Sequence, residues 1–422
     1  MSLLKTNEIQ NYNGSSLTLT ASTVSTSAQL NTGGNISVTG SLNVSDDSTT
    51  RTNLGLGTIA TQAADNVAIT GGTISGITAY PGRNRLINGS FQIAQRNTSF
   101  SGGTDNADDT YTLDRWYVLS EGNDSIDVTQ QSDSPDSNGK SIRLDVETTG
   151  EKFGIAQIIE GQNCIGAIGN TCTLSFYAKV SNARIDTVKA AIIAWSGTED
   201  TVTSDIISAW NADGTTPTLI ANATFENTPA DLSVTTSWAR YELSANIDTA
   251  STKNIIIFIW SDDATNPQAG DFLYLTNIQF EAATSVATPF EHRPYGTELA
   301  LCQRYCYKKN NSITDEVGIG VVQGGTFVKW QVILPVRMRS APTWLNPPTS
   351  LVTSLSGSGQ VYIYNFDTSA FLSLSGSLST INQLSVDGGG LYLSASISFP
   401  GGAAGNVCGI GLYDSPIFNA EL

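Results

Sequence analysis

The sequence predicts an all-β protein: an extended N-terminal segment, a β-sandwich, a short linking helix and a second β-rich head. Three observations carry this. Charged residues are only 14% of the chain, below the roughly 25% of an average globular protein, and Ser, Thr, Asn and Gly fill the gap. Thr favours strands, and Gly and Asn favour turns. Short runs alternating apolar with polar residues recur almost throughout, the mark of half-buried strands. Helical spacing is nearly absent.

Residues 1–82 contain no Trp and only Tyr12 and Tyr80 as aromatics. Pulses such as Asn35-Ile-Ser-Val-Thr and Asn66-Val-Ala-Ile-Thr alternate apolar and small polar residues between glycines. One copy buries little. Three copies wound about a common axis would each offer an apolar face, so the alternation favours a trimeric β-shaft over a flexible Ser/Thr/Gly linker. Gly55 and Gly57 lack the third glycine, the following helix and the acidic residue of a nucleotide-binding loop.

Aromatics begin after the turn-rich Tyr80-Pro-Gly-Arg. Residues 83–294 read as one domain of strands. They include Asp114–Leu119, Ser125–Thr129, Ser141–Val146, Gly154–Ile159, Thr171–Val180 and Lys189–Trp195. Trp238–Leu243, Asn254–Trp260 and Phe272–Phe280 follow. Many short strands between turn signals indicate a sandwich. Trp116 and Trp238 sit inside strands and read as core. The acidic cluster Asp105, Asp108, Asp109 and Asp114 lacks EF-hand spacing and reads as a solvated loop.

Residues 295–311 read as a helical linker, with Leu299, Leu301, Cys302, Tyr305 and Cys306 as an apolar stripe over Glu298–Asn310. Residues 312–422 return to strands: Val317–Val322, Thr326–Leu334, Gln360–Phe366, Leu391–Phe399 and Val407–Leu412. This C-terminal head has the size of a small sandwich.

Net charge is −17, which argues against nucleic acid and anionic membranes as partners. No apolar run approaches the roughly 18 residues of a membrane span, so no membrane insertion is expected. The first residues lack the apolar core of a signal peptide, implying synthesis in a cytoplasm. Five cysteines, an odd number, argue against a disulfide framework and read as buried free thiols. No metal or cofactor is implied. The chain's single histidine, His292, lies between Glu291 and Arg293 and reads as a hydrogen-bonded joint residue. Histidine-assisted nucleophilic catalysis is therefore disfavoured.

Several motifs carry a resemblance. Asn88-Gly-Ser-Phe91, Leu174–Lys179, Thr235–Tyr241 and Tyr274–Glu281 occur in the order found in carbohydrate-binding-module jelly rolls. Gln92 and Thr276 stand where those modules often place calcium-binding acids, so no calcium site carries over. Residues 50–76, Asp114–Trp116 and Leu334–Thr343 resemble segments of bacteriophage tail fibre and receptor-binding proteins. The resemblance implies a jelly roll at 83–294 and a homotrimeric virion fibre. Its N-terminus would attach to tail adaptor, nozzle or baseplate proteins. Function would be non-enzymatic, non-covalent recognition of a bacterial surface polysaccharide. A decoration fibre without receptor binding, and a glycan depolymerase, are the rival readings. Sugar rings pack on aromatic faces while amides and carboxylates fix hydroxyls. On that ground Trp195, Trp210 and Trp260, beside polar loops, are the glycan-binding candidates of the sandwich. Tyr362 and Tyr364 are those of the head, where they equally suit a trimer interface.

Overall fold

The structure, a computed structural model, describes residues 82–422 apart from 249–250, 264, 310–315, 324–326, 348–349, 352–356, 358–359, 367–368, 372–377, 384–385, 387–389 and 396–406. The expected shaft at 1–82 lies outside the described residues except for Gly82. Ile77–Leu422 forms one compact unit.

The protein is all-β. In chain order the strands of the sandwich are β1 (Ser99–Phe100), β2 (Tyr117–Ser120), β3 (Ile126–Gln131), β4 (Ser141–Val146), β5 (Phe153–Ile159), β6 (Thr171–Val180) and β7 (Val188–Trp195). They continue with β8 (Ile207–Ala209), β9 (Thr218–Leu219), β10 (Ala223–Phe225), β11 (Ala239–Asn246), β12 (Asn254–Ser261) and β13 (Phe272–Glu281). A six-stranded antiparallel sheet runs β1-β3-β4-β13-β6-β11, and a five-stranded one runs β10-β7-β12-β5-β2. Chain-consecutive strands largely alternate between the two sheets, which is jelly-roll topology.

The two sheets differ in their outer faces. In β5, β7 and β12 every residue is buried. Ile155, Ala190, Ile192, Ile255, Ile257 and Ile259 fill the space between the sheets. Alternate residues Ile158, Ile193, Ile256 and Phe258 turn the other way into a second apolar layer. The long excursion between β7 and β11 covers that face with Val202, Ile206, Trp210 and Phe225. Strands buried on both faces read as continuous apolar runs for this reason. The six-stranded sheet instead alternates: Ile142, Leu144, Leu174 and Phe176 enter the core, while Arg143, Asp145, Tyr177 and Lys179 face outward.

The Asn88-Gly89 pair is fixed by close packing. Asn88 has φ 58°. Its Oδ1 accepts from Ile93 N at 3.0 Å and its Nδ2 donates to Ile93 O at 2.9 Å and Asp114 O at 3.0 Å. A Cβ on Gly89 would sit 2.0 Å from the Ile278 carbonyl oxygen. Trp116 is core, as expected. Asp114 is not part of a solvated loop: it is buried and accepts from Gln95 N at 2.6 Å.

Two helices occur among the described residues, α1 (Gly161–Cys164) and α2 (Tyr295–Gln303). The helix thus starts at the expected start of the 295–311 linker, three residues before the Glu298–Asn310 stretch, and stops sooner than expected. Pro294 immediately precedes the helix, consistent with its restricted φ. Cys302 lies in α2, but Cys306 begins a strand, so the two do not share a helical face. All five cysteines are buried, and none is in a disulfide.

The remaining strands are β14 (Cys306–Lys308), β15 (Glu316–Gln323), β16 (Phe327–Gln331), β17 (Thr343–Trp344), β18 (Ser350–Leu351) and β19 (Gln360–Asn365). Then come β20 (Ala370–Phe371), β21 (Leu378–Gln383), β22 (Gly390–Ala395), β23 (Val407–Leu412) and β24 (Ile417–Asn419). One sheet runs β18-β19-β23-β15-β16-β22-β21, with β20 on β19. A small sheet, β14-β24-β17, brings the last residues back beside α2. Val328, Trp330, Val361, Ile363, Cys408 and Ile410 form the core here.

Candidate functional site: an open groove on the six-stranded sheet

The outward residues of β6, β11 and β13 meet the segment after β13 to form a groove of about 1100 Å³. Tyr177 of β6 and Arg240 of the edge strand β11 are paired in register. Asn277 is aimed by a β-bulge: register shifts between Thr276 and Gln279, and Asn277 has φ 51°. Bulges re-aim a side chain in this manner, and Asn tolerates the left-handed region better than most residues. Asn277 Nδ2 donates to Asp136 Oδ2 at 2.5 Å.

The far wall is Pro289–Pro294. Glu291 accepts from Gly82 N at 2.6 Å and Asn84 N at 2.8 Å. Arg293 donates to Leu86 O at 3.0 Å and pairs with Glu298 at 3.1 Å. These two residues, not the histidine between them, hold the joint. The His292 side chain is 63% exposed, stands 3.5 Å from Asp136 Oδ2, and meets Phe290 edge-on at 4.9 Å. The sequence reading of His292 as a joint residue is corrected accordingly: it lines the groove.

The sheet face beside the groove carries more rings. Trp238 is half-buried on the surface rather than in the core. It packs edge-on against Tyr274 at 5.8 Å, and Lys179 Nζ lies over both rings at 5.1 and 4.8 Å. Trp238 Nε1 donates to Asp133 at 2.9 Å, and Lys179 donates to the same carboxylate. The Lys179 hydrogen bond, with that of Trp238, holds Asp133 below the usual carboxylate range.

None of the five predicted aromatics lines the groove. Trp260 is 0% exposed and stacked on Phe258 at 4.5 Å, and Trp195 is 8% exposed in the same apolar layer. Trp210 is half-buried and packs on Phe258 at 6.0 Å. Each ends an apolar strand or lies in a polar turn, as read from sequence, but the excursion after β7 folds over Trp195 and Trp260 and carries Trp210 into the same layer. Tyr362 and Tyr364 lie on the outer side of β19, opposite Val361 and Ile363, which enter the core. They cluster with exposed Phe371 at 5.4 and 5.2 Å. Sequence reasoning missed Tyr177, Phe290, Arg240 and Trp238. The alternation of Leu174–Lys179 was the signal for Tyr177; nothing local marked the others.

No family model matches the chain and no curated protein matches it. Among solved structures it is similar to the enzymatically active domain of bacteriophage CBA120 tailspike protein 4, at 18% identity and TM-score 0.30, over 47% of this chain and 21% of that one. It is similar to TmCBM61 in complex with β-1,4-galactotriose, at 14% identity and TM-score 0.27, over 47% of this chain and 99% of that one. A third is the CBM22-1 xylan-binding domain of Paenibacillus barcinonensis Xyn10C, at 13% identity and TM-score 0.27, over 44% and 94%. The chain spans about a fifth of the length of the tailspike it matches. At these identities and scores the likenesses assign no activity. Fold and groove define an all-β jelly-roll protein with one open, ring-lined sheet face.

Proposed function

We propose that this is a bacteriophage tail fibre or receptor-binding protein that holds a bacterial surface glycan, without cleaving it, in the groove on the six-stranded sheet. The observation that carries the reading is the pairing of ring faces, Tyr177 and Phe290, with amide, carboxylate and guanidinium groups in one open groove. Sugar recognition needs both kinds of group. The two carboxylates of the groove are already committed as acceptors: Asp136 to Asn277, and Glu291 to Gly82 and Asn84. Cleavage asks for a carboxylate pair free to trade protons across a sugar. Holding suits this arrangement better.

In this reading residues 1–82 attach to the tail, and three copies give avidity from weak single sites. The outer rings of the head, half-buried Tyr362 and Tyr364 with exposed Phe366 and Phe371, serve contacts between copies. The test is incubation of the purified protein with host cells and host polysaccharide. Cell binding with unchanged polymer size is expected. Shortened polymer points to a depolymerase, and absence of both binding and cleavage to a decoration fibre.

A further inference from the structure

Three arginines, Arg85, Arg240 and Arg293, and two carboxylates, Asp136 and Glu291, line the groove of an otherwise acidic chain. The Arg85 Nε is buried without a partner. Among the described residues Arg85 has no side-chain hydrogen bond and no ion pair, whereas Arg293 is paired with Glu298 and His292 stands beside Asp136. Arg240, on the same groove, donates to Ser175 Oγ at 3.1 Å and to the Thr288 carbonyl, both neutral. It too lacks a carboxylate. In a chain of net charge −17, half-buried Arg85 without a counter-charge stands out, because partly buried cations are normally paired, and exposed Arg240 brings a second guanidinium without a carboxylate to the same cavity.

We infer that the groove takes an acidic glycan, and that a carboxylate or phosphate on the sugar supplies the counter-charge missing at Arg85 and Arg240. This inference rests on the glycan reading and narrows its ligand class. The guanidinium fork suits both anions, and charge-assisted hydrogen bonds to it are the strong ones. Tyr177 and Phe290 take the ring faces, and the anion sets register along the groove. Arg85 donates to nothing in the free protein, so replacing it by Gln orphans no acceptor.

The full chain is titrated calorimetrically with hexagalacturonate, with its fully methyl-esterified form, and with a glycerol-phosphate hexamer. One of the two anionic probes binds at least about tenfold more tightly than the ester, the scale of a hydrogen bond to a charged group. That preference shrinks with added salt. The uronate and phosphate arms tell the two anion sources apart. R85Q at unchanged Tm, and R240Q in its folded state, each lose about tenfold toward the preferred probe, while R85K, which keeps the charge, retains part of it. An ester that binds as tightly as the acid overturns the inference, as does binding to neither anionic probe, or an R85Q variant that is folded and binds the anion like wild type. Host-cell binding is measured alongside. Cells held equally well by wild type and the double variant R85Q/R240Q sink the charge reading alone; cells not held by wild type sink the glycan reading itself.

Discussion

Glu421 is held between Arg115 and Arg96, with Arg115 and Glu421 only 1% and 2% exposed. The Arg115 guanidinium also lies 3.7 Å from the Tyr305 ring centroid, and Tyr305 OH donates to Glu160 at 2.7 Å. The last residues of the chain are thereby tied into the sandwich, near α2. Truncating one member of a buried pair leaves uncompensated charge, at a cost of about 3–5 kcal/mol. E421A is expected to lose stability on that scale in denaturant unfolding, with β14-β24-β17 loosened first in hydrogen exchange. A loss under about 1 kcal/mol, the value of a surface pair, would refute this.

Gly89 allows the Asn88 turn to lie against β13. An added Cβ meets backbone, not a flexible side chain. G89A is expected to cost at least about 3 kcal/mol, the upper end for overpacking. A G89A protein unfolding at the wild-type denaturant midpoint would show that the turn can shift.

Trp260 and Tyr177 separate packing from binding. W260A empties a fully enclosed site and should cost about 3–5 kcal/mol, with any loss of glycan affinity following the unfolded fraction. Y177A, at a half-buried outward position, should lose affinity with a smaller change in Tm. Glycan affinity unaffected by Y177A in the folded protein would move the site elsewhere.

Asp109 makes stability depend on pH. Burial, with Asp108 and Asp205 as further negative charges, raises its carboxyl to about 7. Its Oδ1 is buried without a partner and its φ is 64°. In the unfolded chain the proton leaves near pH 4. Between about pH 4 and 7 the folded state therefore binds the extra proton, and stability falls as pH rises through that window. D109N removes the titration and suits the left-handed backbone. Its Tm advantage over wild type should grow from pH 4 to pH 8; a difference constant across that range would contradict the account.

The strands were legible in the sequence because alternation is a local, two-residue property. Thr171–Val180 and Asn254–Trp260 were read nearly to the residue, and the Asn88-Gly89 motif marked the turn that opens the sandwich. Which sheet face stays open was not legible. It depends on the excursion after β7 folding across β5, β7 and β12, and its sparse apolar residues do not announce their target. The apolar layer between it and the sheet therefore claimed Trp195, Trp210 and Trp260, which polar neighbours had made the glycan-binding candidates. The groove is likewise a product of long-range packing: Arg85, Asp136, Tyr177, Arg240, Asn277 and His292 are scattered over some two hundred residues and are brought together by strand order and a single bulge. Sequence alone determined the all-β class, the buried thiols outside any disulfide and the acidic balance, since each follows from residue type and local period. Only tertiary structure decided that His292 faces a groove while Glu291 and Arg293 anchor it, because backbone direction within a joint is set by what it packs against.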